Sequence, residues 1–226
     1  MWDKASGLGV VFNGELYNYR QLRKGLEERG EGFVTTSDTE VLLKDLARRG
    51  LQATRSWNAM FGLAAWDPRE QTLMLLRDRL GKKPLYYHWD GQVLLFGSEV
   101  KALLASGLLE PKLSRQAVWD YLTFRYIPQP QSIWEEIVAL PAGACLTLAP
   151  GRPPRLESYW DNDQPAGKPS REPLGDFASL FTDAVKLRME ASDVPVGILL
   201  SGGLDSSSVA ATALVRPSRS LHDLTA

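Results

Sequence analysis

The sequence predicts an α+β domain followed by the first part of an α/β domain that contains a parallel sheet. Residues 60–96 form short apolar runs separated by Asp-Pro and Asp-Gly dipeptides, a pattern typical of antiparallel strands. Two segments with helical periodicity precede these runs. Farther along, an apolar run at residues 194–200 passes through two glycines into a helix-forming segment, which is typical of a strand, loop and helix in a parallel sheet.

The first chemical motif of the chain, Asn13-Gly14-Glu15, follows the first predicted strand. Residues 7–12 are apolar enough to form that strand, and residues 19–29 have the apolar spacing of a helix. The motif is therefore predicted on the loop between a strand and a helix. Taken alone, its Asn-Gly dipeptide is typical of a turn.

The rest of the first domain is predicted from caps and turns. Ser37 and Glu40 have capping-box spacing, so a second helix should begin at Ser37 or Asp38. The following strands are expected at residues 61–66, 72–77, 85–89 and 92–96. The Asp-Gly dipeptide between the last two predicts a hairpin. A helix over residues 114–124 and a final strand over residues 143–148 complete the domain.

The domain boundary is expected in a polar stretch at residues 161–173. This stretch contains three prolines and no apolar periodicity, which is typical of a linker. Residues 1–160 would then form the first domain, and residues 174–226 the start of the second.

Composition narrows the class of partner. The 226 residues carry a formal net charge of −1, and no basic stripe of the kind that binds nucleic acid stands out. The chain has one cysteine, which excludes an internal disulfide and fits a reducing compartment. It shows neither a secretory leader nor an apolar run long enough for a membrane. We expect a soluble cytoplasmic protein whose partners are small molecules; the oligomeric state is not indicated.

A glycine loop at residues 201–207 reads Ser-Gly-Gly-Leu-Asp-Ser-Ser. Paired glycines let the backbone approach a ligand closely, and N–H groups at a helix N-terminus favour an anion. A Gly-Gly dipeptide alone is typical of a simple turn. The complete string S-G-G-x-D-S, however, resembles the pyrophosphate loop of the ATP pyrophosphatases, which split ATP into AMP and pyrophosphate.

Six segments together resemble the glutamine-hydrolysing asparagine synthetase family, a family of carbon–nitrogen ligases. They are residues 11–18, 36–40, 77–81, 83–87, 98–104 and 201–207. The resemblance implies an N-terminal-nucleophile-type αββα sandwich, followed by the first unit of an α/β parallel-sheet nucleotide-binding domain. In this family the first domain releases ammonia from glutamine. The second domain activates aspartate with ATP, through an AMP intermediate, and amidates it.

The resemblance also implies roles for individual residues. The Asn13 amide and the Gly14 backbone N–H match the family's oxyanion hole, and Glu15 and Asp38 match positions that hold glutamine. Read without the family, Asp38 is a helix cap; the other matching segments favour the functional interpretation. ATP binding is implied for Leu200, Ser201, Gly202, Gly203, Leu204, Asp205, Ser206 and Ser207. Mg²⁺ is implied only as the usual companion of ATP.

The chain departs from the family pattern at both ends, since the N-terminal cysteine and most of the synthetase site of the family are absent. The family begins with Met-Cys-Gly and exposes the cysteine as the nucleophile, whereas residue two is Trp2, and the chain's Cys145 lies in a predicted strand. We therefore expect an incomplete chain with no turnover of its own. Two alternatives stay open: a related amidotransferase with another acceptor, and a non-catalytic module that binds glutamine or ATP. Arg77, Asp78 and Arg79 are expected to brace the β layer as a partly buried charge network.

Overall fold

The computed structural model describes residues 1–161, 170–215 and 222–224. These residues divide into two compact units. The first unit contains residues 1–16 and 22–161, and the second contains residues 17–21, 170–215 and 222–224. Most of the predicted linker, residues 162–169, lies outside the described residues.

The first unit is mainly β. Its strands are β1 (Gly9–Leu16), β2 (Ala59–Asp67), β3 (Thr72–Arg77), β4 (Tyr86–Trp89), β5 (Leu94–Gly97), β6 (Val138–Ala139), β7 (Ala144–Leu148) and β8 (Arg155–Ser158). The helices that begin or lie in this stretch are α1 (Tyr19–Glu27), α2 (Asp38–Arg49), α3 (Val100–Leu104) and α4 (Arg115–Phe124), with a 3-10 turn at Gly50–Ser56. The strands form a five-stranded sheet in the order β1-β2-β3-β7-β8 and a three-stranded sheet in the order β5-β4-β6.

The two sheets of the first unit share one apolar core. Directly paired residues lie on the same face of a sheet, so Ala64, Leu75 and Leu146 form one row across β2, β3 and β7. This row is buried together with Leu85 and Leu140, and side chains of β4 and β5 pack against it. The face of the large sheet that carries this row therefore points toward the second sheet.

The opposite face of the large sheet lies against α2. Trp57 packs edge-on against Phe61 of β2, with ring centroids 5.7 Å apart, and its Nε1 donates to Asp45 of α2 at 2.8 Å. Helix α2 buries Val41, Leu42, Leu43 and Leu46. At the second sheet, α3 packs on β4 and β5. This arrangement of helices and sheets fits the αββα sandwich that the resemblance implies.

Arg77, Asp78 and Arg79 fasten loops to the sandwich. The buried Arg77 guanidinium donates to the carbonyl oxygens of Gly81, Lys83 and Leu140. Arg79 donates to two carbonyl oxygens at the end of the 3-10 turn. Both arginines therefore anchor main chain, and Arg77 also interacts electrostatically with Asp78, as the predicted charge network implies.

Several predicted elements are confirmed and others need correction. Helix α2 begins at Asp38, and the Asp-Gly dipeptide does join a hairpin, with Gly91 at φ 101°. The strand predicted at residues 143–148 is present as β7, but it is not the last strand of the domain, because β8 follows it and pairs with it. The predicted loop for Asn13-Gly14-Glu15 is also wrong, since the motif lies inside β1.

The second unit contains α5 (Pro173–Ala191), β9 (Gly197–Leu199), α6 (Leu204–Val215) and β10 (His222–Leu224). Strands β9 and β10 pair in parallel, and the sequence analysis did not include a strand at residues 222–224. Apolar side chains at helical spacing on α5 are largely exposed to solvent: Leu174, Phe177 and Leu180 are 83%, 66% and 70% exposed. Within the described ranges, no helix is both long enough and apolar enough to cross a bilayer.

Candidate functional site

Strand β1 lies at the edge of the five-stranded sheet, so half of its backbone polar groups have no neighbouring strand. The backbone N–H of Leu16 donates outward to the Asp38 carboxylate at 2.9 Å, and that of Val10 donates to the Met1 carbonyl at 2.8 Å. The register with β2 is unbroken, and outward N–H groups alternate along an antiparallel strand. The N–H of Gly14, four residues after Val10 and two before Leu16, therefore also faces the open edge.

Gly14 is required by a close approach within the sheet. A Cβ built at this position would lie 2.2 Å from the Met60 carbonyl oxygen and 2.8 Å from the Phe61 Cα. Gly14 is not among the glycines with positive φ. The Asn-Gly pair thus lies within a strand, and the turn that this dipeptide predicts is not formed.

Asn13 directly precedes Gly14, and its side chain lies on one face of the sheet, whereas the Gly14 N–H points toward the open edge. It pairs with Gly62 and lies in the row of Arg77, on the face that looks toward the second sheet. Its Nδ2 donates to Ser98 Oγ at 3.0 Å, at the end of β5. An uncharged amide and an uncharged backbone N–H on adjacent residues are suitable donors for an oxygen that gains negative charge.

Two carboxylates lie next to these donors. The Asp38 Oδ2 is fixed at the end of β1 by the Leu16 N–H, and its Oδ1 accepts from the hydroxyls of Ser37 and Thr39 at 3.4 and 3.3 Å. Glu15 follows Gly14 directly and is half-buried. The structure therefore brings Asn13, Gly14, Glu15 and Asp38 together at one sheet edge. Neutral donors beside carboxylates complement a ligand that has both a carbonyl oxygen and an ammonium group.

Glu40 supports this site, although the sequence indicated only a capping role for it. Its carboxylate accepts from the Val34 N–H at 2.8 Å and from the Thr35 N–H and hydroxyl, both at 2.6 Å. Ser37 does cap α2, through the Thr39 N–H. In a capping box Glu40 would accept from the backbone N–H of Ser37. Here the buried Glu40 instead reaches back to Val34 and Thr35 and holds the segment that leads into Asp38.

The pKa of Glu40 is lowered overall: burial raises it, but the hydrogen bonds from Thr35 and Val34 outweigh that effect. A carboxylate with a depressed folded pKa stabilises the fold above its unfolded pKa, and that contribution disappears as pH falls through the folded value. We expect Glu40→Gln to be less stable than the unsubstituted chain at pH 7. The difference in the free energy of unfolding should narrow as the pH is lowered to 3. Urea unfolding of both proteins across this range measures it, and a constant difference would contradict the assignment.

Cys145 is not a candidate nucleophile. It is fully buried in β7, in the row of Leu63 and Leu76 on the helix-facing side of the sheet. Burial raises the pKa of its thiol to about 11. A thiol with this pKa is protonated at neutral pH and is a poor nucleophile.

The second unit presents the glycine loop between β9 and α6. Gly202 has φ +77°, which favours glycine, and the Ser201 and Ser206 hydroxyls lie 3.0 Å apart. The helical hydrogen bonds begin with Ser207 N–H to the Gly203 carbonyl. The N–H groups of the first helical turn therefore have no intrahelical acceptor and are oriented for an anion. Among the described residues, no group of three or more His, Cys, Asp or Glu side chains is placed to hold a metal ion.

Residues 1–160 match the glutamine amidotransferase domain family. The chain belongs to this family. Downstream of the amidotransferase domain, residues 176–225 match the asparagine synthase family. This pair of matches, in this order, confirms the resemblance to glutamine-hydrolysing asparagine synthetases on which the sequence interpretation was based.

Curated relatives of this amidotransferase family protein are considerably longer. Asparagine synthetase [glutamine-hydrolyzing] 3 of Bacillus subtilis (strain 168) is 37% identical over 206 residues, which cover 90% of this chain and 33% of the relative. Amidase chry2 of Gibberella zeae is 32% identical over 213 residues, which cover 92% of this chain and 31% of the relative. The chain spans about a third of the length of the curated relatives it matches.

A solved structure supports the fold. Glutamine phosphoribosylpyrophosphate amidotransferase from B. subtilis, complexed with ADP and GMP, aligns with a TM-score of 0.52 and 17% identity. The alignment covers 99% of this chain and 46% of that chain. At this identity the likeness shows the fold of the amidotransferase family and nothing about ligands.

Proposed function

We propose that the amidotransferase domain binds glutamine at the edge of β1, and that the whole protein is an ATP-dependent ligase that amidates aspartate with ammonia from glutamine. The observation that carries this proposal is the outward Gly14 N–H beside the Asn13 amide, with Asp38 fixed at the end of the same strand. Family membership and the asparagine synthase match at residues 176–225 support the wider activity.

The site residues have distinct roles in this proposal. Asp38 and Glu15 hold the α-ammonium group of glutamine, and the Asn13 Nδ2 and Gly14 N–H donate to its side-chain carbonyl oxygen. When a nucleophile attacks the carboxamide carbon, that oxygen becomes an oxyanion, and both donor bonds strengthen. Loss of one such donor typically reduces the rate by about two to three orders of magnitude. The buried Cys145 cannot provide the attacking thiol, so the described residues supply binding and oxyanion stabilisation.

Glutamine binding tests this assignment directly. We expect Asp38→Asn to weaken the binding of L-glutamine by about tenfold or more, because it removes a charge-assisted bond worth about 1.5–3 kcal/mol. Asn13→Ala should weaken it less, because a neutral bond contributes less to ground-state binding. Isothermal calorimetry measures both. Asp90→Asn, on the exposed turn between β4 and β5, is the matched control and should bind as the unsubstituted chain does. Equal affinities in Asp38→Asn and Asp90→Asn would refute the site.

We propose that residues 200–207 bind the phosphates of ATP. Backbone N–H groups at the start of α6 and the hydroxyls of Ser201, Ser206 and Ser207 are a donor set that fits phosphate oxygens. Leu200 and Leu204 would flank the loop, and Gly202 and Gly203 give the backbone room. Asp205 is the one carboxylate of this loop, so Mg²⁺ would be held mainly by the nucleotide.

A glycine substitution in the loop tests whether the loop binds phosphate, and a second one elsewhere in the same unit serves as the control. Gly202→Ala places a side chain at φ +77°, which costs about 1–2 kcal/mol in the bound loop conformation. We expect it to reduce the affinity for inorganic pyrophosphate by about five- to thirtyfold. Gly175→Ala, within α5 and with no atom closer than 4.0 Å to the added Cβ, is the control and should bind normally. Identical pyrophosphate titrations for both variants would show that the loop does not bind phosphate.

A second acceptor class stays a candidate, because one relative similar to this chain at 32% identity is named an amidase and not an asparagine synthetase. The acceptor would then be a carboxylate other than aspartate. Exchange of labelled pyrophosphate into ATP distinguishes the two, when measured in a preparation that hydrolyses glutamine. Exchange that depends on aspartate supports the asparagine synthetase, and exchange that needs another carboxylic acid supports the alternative.

A further inference from the structure

The proposed oxyanion donor on Asn13 works only in one orientation of its amide. The NH₂ and carbonyl ends of an asparagine side chain have nearly the same shape, but only the NH₂ end donates. Asn13 is exposed, so packing alone does not select between the two orientations. A hydrogen-bonded neighbour restricts the rotation of the side chain, and in the structure the NH₂ end of Asn13 is turned toward such a neighbour.

Ser98 is that neighbour. Its Oγ accepts from Asn13 Nδ2 at 3.0 Å across the space between the two sheets, although the residues are 85 positions apart in the sequence. Ser98 is half-buried and follows β5 directly. A primary amide nitrogen carries two hydrogens, so one can bond to Ser98 while the second stays available to a ligand oxygen.

The main chain around Ser98 is held on both sides. A Cβ at Gly97 would come within 3.2 Å of Leu103 Cδ1, so the backbone there lies close against α3. On the other side, Glu99 is the N-cap position from which α3 begins. The Ser98 hydroxyl is therefore presented from a closely packed corner of the second sheet toward the exposed edge of the first.

We propose that Ser98 is a positioning residue for the amidotransferase site, holding the Asn13 amide with its nitrogen toward the Ser98 hydroxyl and its second hydrogen toward the substrate oxygen. Ser98 does not touch the substrate in this arrangement. The expected effect of Ser98 on the affinity for glutamine rests on the proposed function, whereas its effect on the orientation of the Asn13 amide does not.

The test uses the whole chain labelled with ¹⁵N, in three forms: unsubstituted, Ser98→Ala and Ser98→Thr. Asn13→Ala identifies the side-chain NH₂ signals of Asn13 by their disappearance. We expect one Asn13 NH₂ proton to be shifted downfield and protected from solvent exchange in the unsubstituted chain. This signature should be lost in Ser98→Ala and restored in Ser98→Thr, which keeps the hydroxyl. Unchanged Asn13 signals in Ser98→Ala would overturn the proposal.

Two further measurements separate positioning from a general structural role. Thermal unfolding should be nearly the same in all three forms, because a single bond to an exposed amide adds little stability. Affinity for L-glutamine should fall about five- to tenfold in Ser98→Ala and recover in Ser98→Thr. An equal loss of affinity in both variants would overturn the proposal. If the unsubstituted chain binds no glutamine, the proposed function fails, and the Asn13 signals still decide the role of Ser98.

Discussion

Replacing Gly14 with alanine should destabilise the first unit by about 3 kcal/mol or more and abolish glutamine binding, since overpacking against backbone cannot be relieved by a rotamer change. The added Cβ would lie 2.2 Å from the Met60 carbonyl oxygen, so β1 would have to move away from β2. That movement displaces both the Gly14 N–H and the Asn13 amide. Thermal unfolding followed by circular dichroism, together with glutamine calorimetry, measures the two losses.

Gly25→Ala is the matched control for this experiment. Gly25 lies inside α1, and an added Cβ would meet no atom within 4 Å. Because alanine is the better helix former, Gly25→Ala should stabilise the chain by about 0.5–1 kcal/mol. If Gly14→Ala unfolded at the same temperature as the unsubstituted chain, the close packing of β1 on β2 would be wrong.

Replacing Asp78 with alanine should cost about 3–5 kcal/mol, although this residue is outside the proposed site. Its buried carboxylate accepts backbone N–H bonds from Phe61 at 3.0 Å and from Leu80, Lys82 and Lys83 at 3.1, 2.9 and 2.9 Å. Removal of the acceptor leaves these donors without a partner, and each buried donor left unsatisfied costs about 1–3 kcal/mol. Urea unfolding measures the loss.

The comparison for Asp78 is Asp67→Ala. Asp67 forms an ion pair with the exposed Arg69, at 2.8 Å, and exposed pairs contribute about 1 kcal/mol or less. A similar loss of stability in the two variants would contradict the view that Asp78 organises the turn after β3. It would also show that the Asp78 bonds are less important than their number indicates.

The regular elements of the first unit could be predicted because they depend on local patterns. A short apolar run after the Asp-Pro turn placed β3 at its observed bounds, and the capping residue Ser37 placed the start of α2. The Asp-Gly hairpin was likewise visible, because its turn chemistry is contained in two residues.

The site itself depends on features that no local pattern reveals. The role of Gly14 arises from the approach of Met60, and the outward direction of its N–H arises from the edge position of β1. The bond between Asn13 and Ser98 joins two sheets. The family resemblance supplied the residues of the site, but their arrangement required the tertiary structure.

In the proposed site, glutamine binds against the outward N–H of Gly14. The most direct test is a titration of the ¹⁵N-labelled chain with L-glutamine, followed by the backbone amide signals, with D-glutamine as the control. We expect a saturable shift of the Gly14 amide and of the Asn13 NH₂ pair with the L-enantiomer, and a much weaker response to the D-enantiomer. Shifts confined to other residues, or equal responses to the two enantiomers, would contradict it.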